Sequence, residues 1–422
     1  MPPRIPPPED PTTGASTPWT YRRVLAEGEF RVLLAAEILS MIGLIAAQVT
    51  LSVLIYQRTG SPLLSALTFA VGFVPHLLGA VFLSALTDRF PVRGLLVVTQ
   101  GGAAVITAAM AVPGVPIPVL LGLLAVSGAI APVYQGARSA TLPDILTPAG
   151  FPLGRSLLRM VAQGSQIAGF AFGGVLLLAI PPSVALLIGA GALLLSALLL
   201  QVRTRRRPAR IAARSDGLAV PASVAHDSLA AVRDAAASPR LRTLLLLGWL
   251  PPALAITPEA LAAPLADRLG GGSMTVGLLL AAAPAGMLAG ELGVGTLLSA
   301  ERWDRWMVPL ALLLFAPLPL FVLAPAPGLA IALLVVSGVG YGYTLALDQR
   351  LLAAIPEQAR GRALSLASAG LMVTQGLGFA AAGALAEGVA PHLVVTAAGA
   401  AGLLTVGLLG AALQGGVPAR RD

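Results

Sequence analysis

From residue 31 onward the chain alternates long apolar runs with short polar breaks, and the runs are too uniformly apolar for half-buried surface helices. They fall at about 31–56, 63–86, 94–112, 117–136, 154–180 and 182–201, and after a polar stretch at about 243–265, 273–298, 306–324, 328–352, 363–388 and 391–414. Runs of about 20 residues match the hydrocarbon thickness of a bilayer. Lipid gives backbone groups no water to bond, so each run is predicted to be a helix. The reading is an all-α membrane protein with twelve transmembrane helices in two six-helix bundles.

The polar segments divide the chain further. Residues 1–29 are Pro-rich and polar and are expected to form a flexible tail. A first bundle over 30–201 is followed by a basic linker over 202–242, a second bundle over 243–414 and a short tail over 415–422. Pro221 and Pro239 bracket a predicted interfacial helix in the linker, with Val224, Leu229 and Val232 on one side.

Composition narrows the class. Only 11% of residues are charged, against about 25% in soluble proteins, which argues against an ordinary soluble enzyme. The chain has no cysteine, excluding disulfides, Cys-ligated zinc and thiol catalysis. Its three histidines (His76, His226 and His392) are far apart, so no metal site is expected. All 27 Lys+Arg residues are arginine, so the lysine of a phosphate-binding GxxxxGK[ST] loop is missing and the chain cannot drive itself with ATP. No cofactor and no enzymatic constellation is expected.

The arginines also orient the spans. With the N-terminus on one side, that side and the linker collect every arginine except Arg58 and Arg268. Cytoplasmic loops accumulate Lys and Arg, which places both chain ends in the cytoplasm and the protein in the cell (cytoplasmic) membrane. This bias accounts for the net charge of +8 without a nucleic-acid partner.

The two bundles read as copies. Gly169-Phe170-Ala171-Phe172-Gly173-Gly174 and Gly378-Phe379-Ala380-Ala381-Ala382-Gly383 share the form G-F-A-x-x-G, and their spans open alike at Gly154-Arg155 and Gly361-Arg362. A pseudo-two-fold between halves, with a substrate site near the midplane, is a recurrent transporter design. The stretch Leu86-Thr87-Asp88-Arg89-Phe90-Pro91-Val92-Arg93 resembles the loop motif after the second span of the major facilitator superfamily. Gly169 to Gly174 resembles that superfamily's fifth-span antiporter motif. Phe30-Arg31, Tyr56 to Pro62, Ala137-Arg138 with Pro143-Asp144, and Arg360-Gly361-Arg362 resemble its drug-efflux branch, which contains macrolide and enterobactin exporters. Phe170 stands where the antiporter motif has proline, and Leu44 where this branch often has an acid.

Ionisable groups within spans are costly and need a partner or a purpose. Glu37 and Glu291 are the proton or substrate candidates, each about seven residues from the cytoplasmic end of its span. Arg159 lies at the depth of Glu291, and the resemblance implies that their spans abut, so the two are expected to face each other. It also implies a charge lock of Asp88 and Arg89 with Arg138 and Arg362, and a cavity near Tyr134, Tyr341 and Tyr343. Asp348 and Arg350 are expected to bridge locally, and Glu259 to meet water at the outer end of span seven. Gly169, Gly173, Gly174, Gly378 and Gly383 permit close helix approach. Pro251, Pro252, Pro258 and Pro264 should bend or interrupt span seven.

The resulting expectation is a monomeric secondary transporter exporting a small amphipathic compound in exchange for protons. The alternatives are an uncoupled or uptake carrier and a non-transporting scaffold or sensor.

Overall fold

The computed structural model describes residues 20–82, 86, 90–147, 150–207, 238–298, 300–355 and 360–415. Twelve helical spans are long and apolar enough to cross a membrane. They run Gly28–Thr59, Pro62–Gly79, Val92–Met110, Ile117–Ile145, Phe151–Ala179 and Pro182–Arg203, then Pro239–Ala260, Ser273–Leu297, Arg302–Leu323, Pro327–Ala354, Leu366–Ala386 and Pro391–Leu413. They are numbered one to twelve below. The protein is an all-α membrane protein of two six-helix bundles. With an even number of spans, both chain ends emerge on one side, termed proximal; the opposite side is distal.

Much of the proline serves to start helices. Pro62, Pro182, Pro239, Pro327 and Pro391 are first residues of their helices, where a missing N–H costs nothing and the fixed φ suits the first turn. The turn between spans one and two shows the full grammar. Gly60 ends span one in the left-handed region at φ 66°, and the Ser61 hydroxyl then caps the next helix by accepting from the Leu64 N–H.

Several elements differ from the sequence expectation. The predicted tail is ordered from residue 20 onward: Tyr21–Ala26 forms a short helix. Its Val24 is buried in a cluster with Phe30, Leu142, Leu146 and Leu158, because one apolar side chain on that turn has a greasy surface to meet. Span four continues past residue 136 to Ile145, carrying Pro143 within it. Span seven, by contrast, is interrupted as its prolines lead one to expect, into Pro239–Ala255, Thr257–Ala260 and Ala262–Arg268. Span ten is also interrupted, by a 3-10 turn at Gly340–Gly342 between Pro327–Val339 and Tyr343–Ala354. The predicted interfacial helix of the linker lies outside the described residues.

The repeated glycine motif explains how the halves meet. A Cβ on Gly169 would lie 2.9 Å from Ile45 Cβ of span one, and Gly378 abuts the carbonyl of Ala253 in span seven. The first glycine of each copy therefore packs within its own half. The last glycine faces the other half. A Cβ on Gly174 would lie 2.8 Å from the Gly277 Cα of span eight, and one on Gly383 would lie 2.7 Å from Ala66 Cβ of span two. The pseudo-two-fold relates these two seams.

Candidate functional site

Between the halves lies a cavity of about 490 Å³, within the range of small-molecule sites. The first half contributes Gln163 and Gln166 of span five; the rest of the wall comes from the second half, including Trp249, Glu259, Tyr341, Asp348 and Gln375. The breaks in spans seven and ten build this wall. The segment Thr257–Ala260 carries Glu259, and the Gly340–Gly342 turn carries Tyr341, into the same wall, where Glu259 acts electrostatically on Tyr341. Trp249 is fixed by donating its indole N–H to the Ala367 carbonyl at 2.9 Å.

On the distal side the halves are closed. Phe69 and Phe379 stack across the seam with ring centroids 5.3 Å apart and planes 7° apart, and Phe73 adds a tilted contact at 5.7 Å. The Glu387 carboxylate at the end of span eleven accepts from the Ser61 hydroxyl and from the Leu63 N–H, the latter at 3.0 Å. An anion thus seats on the start of span two, where free N–H groups favour negative charge. Tyr56 of span one faces the Asp267 carboxylate of span seven.

On the proximal side the charges sit apart. Arg159, of span five, acts on both Glu291 and Asp348 of the second half. Gln163 also faces Glu291. Arg159 and Asp348 are both exposed, and among the described residues no salt bridge joins Arg159 to either acid. The expected Arg159–Glu291 neighbourhood is therefore present with its ends unclosed. The cavity is sealed distally and open proximally.

Glu37 occupies a different setting. It is 3% exposed and forms a salt bridge with Arg138 of span four, while Tyr134 donates to its other oxygen at 3.2 Å. Gln100 extends the network by donating to Ser40 at 2.7 Å. Tyr134 is thus spent inside the first half and absent from the cavity wall. Tyr343 is fully buried and donates to the Leu247 carbonyl at 2.9 Å. Of the three tyrosines, Tyr341 is the one whose hydroxyl has no hydrogen bond among the described residues.

Two expectations are corrected. Glu259 does not lie at the distal surface; it lines the cavity, because the helix breaks on either side of it turn the segment inward. Arg350 pairs with Asp304 of span nine, not with Asp348, since the two residues of the D-x-R pair lie on opposite sides of span ten. Asp88 and Arg89 lie outside the described residues, and so does the side chain of Arg362. No group of three or more metal-ligating side chains occurs among the described residues.

At the proximal rim the linker is clasped to the first half. Arg207 donates to both oxygens of Glu29 at 2.7 and 2.8 Å, and the Arg205 N–H reaches the same carboxylate at 3.0 Å. Arg207 also lies 3.9 Å from Asp144. Hydrogen bonding to Glu29 raises the Arg207 pKa above its ordinary value.

The family described as "Transmembrane secretion effector" matches residues 18–418. The chain belongs to that family of major facilitator transporters. Its fold is shared with solved structures at low identity. A bacterial homologue of the iron transporter ferroportin in an inward-facing state aligns with TM-score 0.67 at 17% identity, over 90% of this chain and 98% of that one. A bacterial homologue of the human lysosomal transporter Spinster, inward-facing and unoccupied, gives 0.59 at 17%, over 92% and 95%. The nucleoside transporter NupG gives 0.66 at 15%, over 90% and 99%. No curated protein matches the chain by sequence. The protein is a multi-pass membrane transporter and not an enzyme.

Proposed function

We propose that this transporter exports a small amphipathic compound across the cytoplasmic membrane in exchange for protons, working as a monomer by alternating access. The observation that carries the reading is the central cavity, sealed at one mouth and open at the other. On this reading the proximal side is the cytoplasm, as the arginine bias favours, and the structure is the inward-facing state that loads cargo from inside. The secretion named in the family description supports export, and the largely apolar wall supports an amphipathic cargo.

Closure of the proximal mouth would bring Arg159 against Glu291 and Asp348, while the distal seam of Phe69, Phe379 and Glu387 parts. Glu291 is the proton carrier in this scheme, because its charge is compensated only when Arg159 closes on it. Each ligand biases the two states solely through its differential affinity for them. Glu37 is assigned a structural role, its charge being met by Arg138 in the open-proximal state.

The test is transport in proteoliposomes with an imposed proton gradient and a panel of amphipathic compounds. Cargo movement should be accompanied by opposite proton movement, and Glu291→Gln should retain counterflow exchange while losing gradient-driven accumulation. Gradient-driven accumulation undiminished in Glu291→Gln would remove that residue from the scheme, and movement of no compound would remove the transport cycle itself.

A further inference from the structure

Among the described residues the deep end of the cavity carries one acidic side chain, Glu259. Glu259 keeps part of its surface in contact with the void, and among the described residues no hydrogen-bond donor or cation is joined to its carboxylate. Its neighbour is Tyr341, on the facing break of span ten. The other acid in the wall, Asp348, lies seven residues nearer the proximal mouth, roughly 10 Å along the helix. No arginine or histidine lines the cavity, and the chain has no lysine. Arg159 attends the mouth, where it acts on Glu291 and Asp348.

A carboxylate within a span is retained only with a partner or a purpose, and among the described residues Glu259 has no protein partner. The wall beside it carries the phenol of Tyr341 and a largely aliphatic lining that includes Leu279, Leu280 and Leu334, while the indole of Trp249 lines the cavity ten residues back along span seven, roughly 15 Å nearer the proximal mouth. An aromatic ring next to such an acid, in an apolar chamber, forms a receptor for a positive centre shielded by hydrocarbon.

We propose that the cavity binds a lipophilic organic monocation, with Glu259 as its counter-ion, Tyr341 as the aromatic ring beside the charge and Trp249 as an aromatic surface for the hydrocarbon nearer the mouth. This deepens the transport reading by naming the cargo class. The site selects on charge sign at the floor and on bulk in the walls. An anion of equal shape would meet Glu259, which among the described residues has no cation beside it. A neutral molecule would leave the carboxylate unpaired.

The experiment uses the purified full-length protein in detergent and two probes of nearly equal shape and opposite charge, tetraphenylphosphonium and tetraphenylborate. Equilibrium dialysis of each against protein-free micelles of the same detergent removes partitioning, and Trp fluorescence gives a second readout through Trp249. Tetraphenylphosphonium should bind saturably and tetraphenylborate should not. Glu259→Gln should weaken the cation about tenfold or more, in keeping with loss of one partner of a desolvated charge pair. Glu259→Asp should recover part of that loss, and Asp348→Asn should have a smaller effect. Equal binding of the two ions by the unaltered protein would overturn the proposal without reference to any variant. So would an unchanged affinity in Glu259→Gln. Equilibrium binding requires neither a proton gradient nor alternation. Failure here, with gradient-driven exchange of another compound intact, would count against the cation site alone. Cation binding without any transport would count against the transport cycle alone.

Discussion

The distal seam rests on backbone-to-backbone approach at Gly174 and Gly277, and one methyl group should pry it open. In Gly174→Ala the new carbon would lie 2.8 Å from the Gly277 Cα, 2.8 Å from the Ser273 carbonyl oxygen and 3.0 Å from the Gly277 nitrogen. Carbon contacts are favourable at about 3.5–4.0 Å, so span eight must retreat by roughly 0.5–1 Å. The obstructing atoms are main chain and cannot rotate away. Overpacking of this kind typically costs about 1–3 kcal/mol. The gain in helix propensity from Gly to Ala is shared by both states and cancels. The clash exists only while the distal ends touch, so its cost falls on the distally closed state. At about 1.4 kcal/mol per tenfold, distal opening should rise roughly five- to hundredfold. The absence of cysteine makes the assay direct: Ala283→Cys places one thiol in the cavity wall, to be labelled by a membrane-impermeant maleimide from the distal face of oriented vesicles. Gly164→Ala in the same span is the control, since a Cβ there meets nothing within 4 Å. Labelling should accelerate in Gly174→Ala and not in Gly164→Ala. Equal rates in the two variants would refute the seam as the element that holds the distal side shut.

Two other outcomes follow from the charge network. Glu37→Gln leaves Arg138 without its carboxylate at 18% exposure, which should cost about 3 kcal/mol, the lower end for a broken buried pair. The thermal unfolding midpoint in detergent should fall while proton coupling persists, and Arg138→Met added to it should restore stability; lost coupling with an unchanged midpoint would return Glu37 to the proton path. Glu29→Gln releases the partly exposed Arg207 clasp, worth about 0.5–1 kcal/mol after solvent screening. Limited trypsin digestion after Arg205 and Arg206 should then speed up roughly two- to fivefold, and an unchanged cleavage rate would show that the clasp does not hold the linker.

The spans were legible because a bilayer demands continuous apolar runs, and the repeat was legible because the two glycine motifs share four of six positions in the same order. The pairing of those glycines was not. Whether Gly174 meets its own bundle or the other depends on how span five is rotated against spans distant in sequence, and no local pattern encodes that angle. The same holds for Arg350, whose partner Asp304 sits one span back. Glu259 was placed at the outer surface because an uninterrupted helix would carry it there. Pro251, Pro252 and Pro258 announce a break but leave open which way the broken segment turns. Glu387 was overlooked because an acid at the end of an apolar run reads as solvent-facing until the start of span two is set against it.

The lopsided cavity wall has a consequence for how such a protein diversifies. Among the described residues only Gln163 and Gln166 come from the first half, which instead holds the Glu37–Arg138 bolt and the linker clasp. Changes in the second half can retune what is carried while the opposite lobe stays mechanically intact. A hybrid that joined this first half to a relative's second half should inherit the relative's cargo.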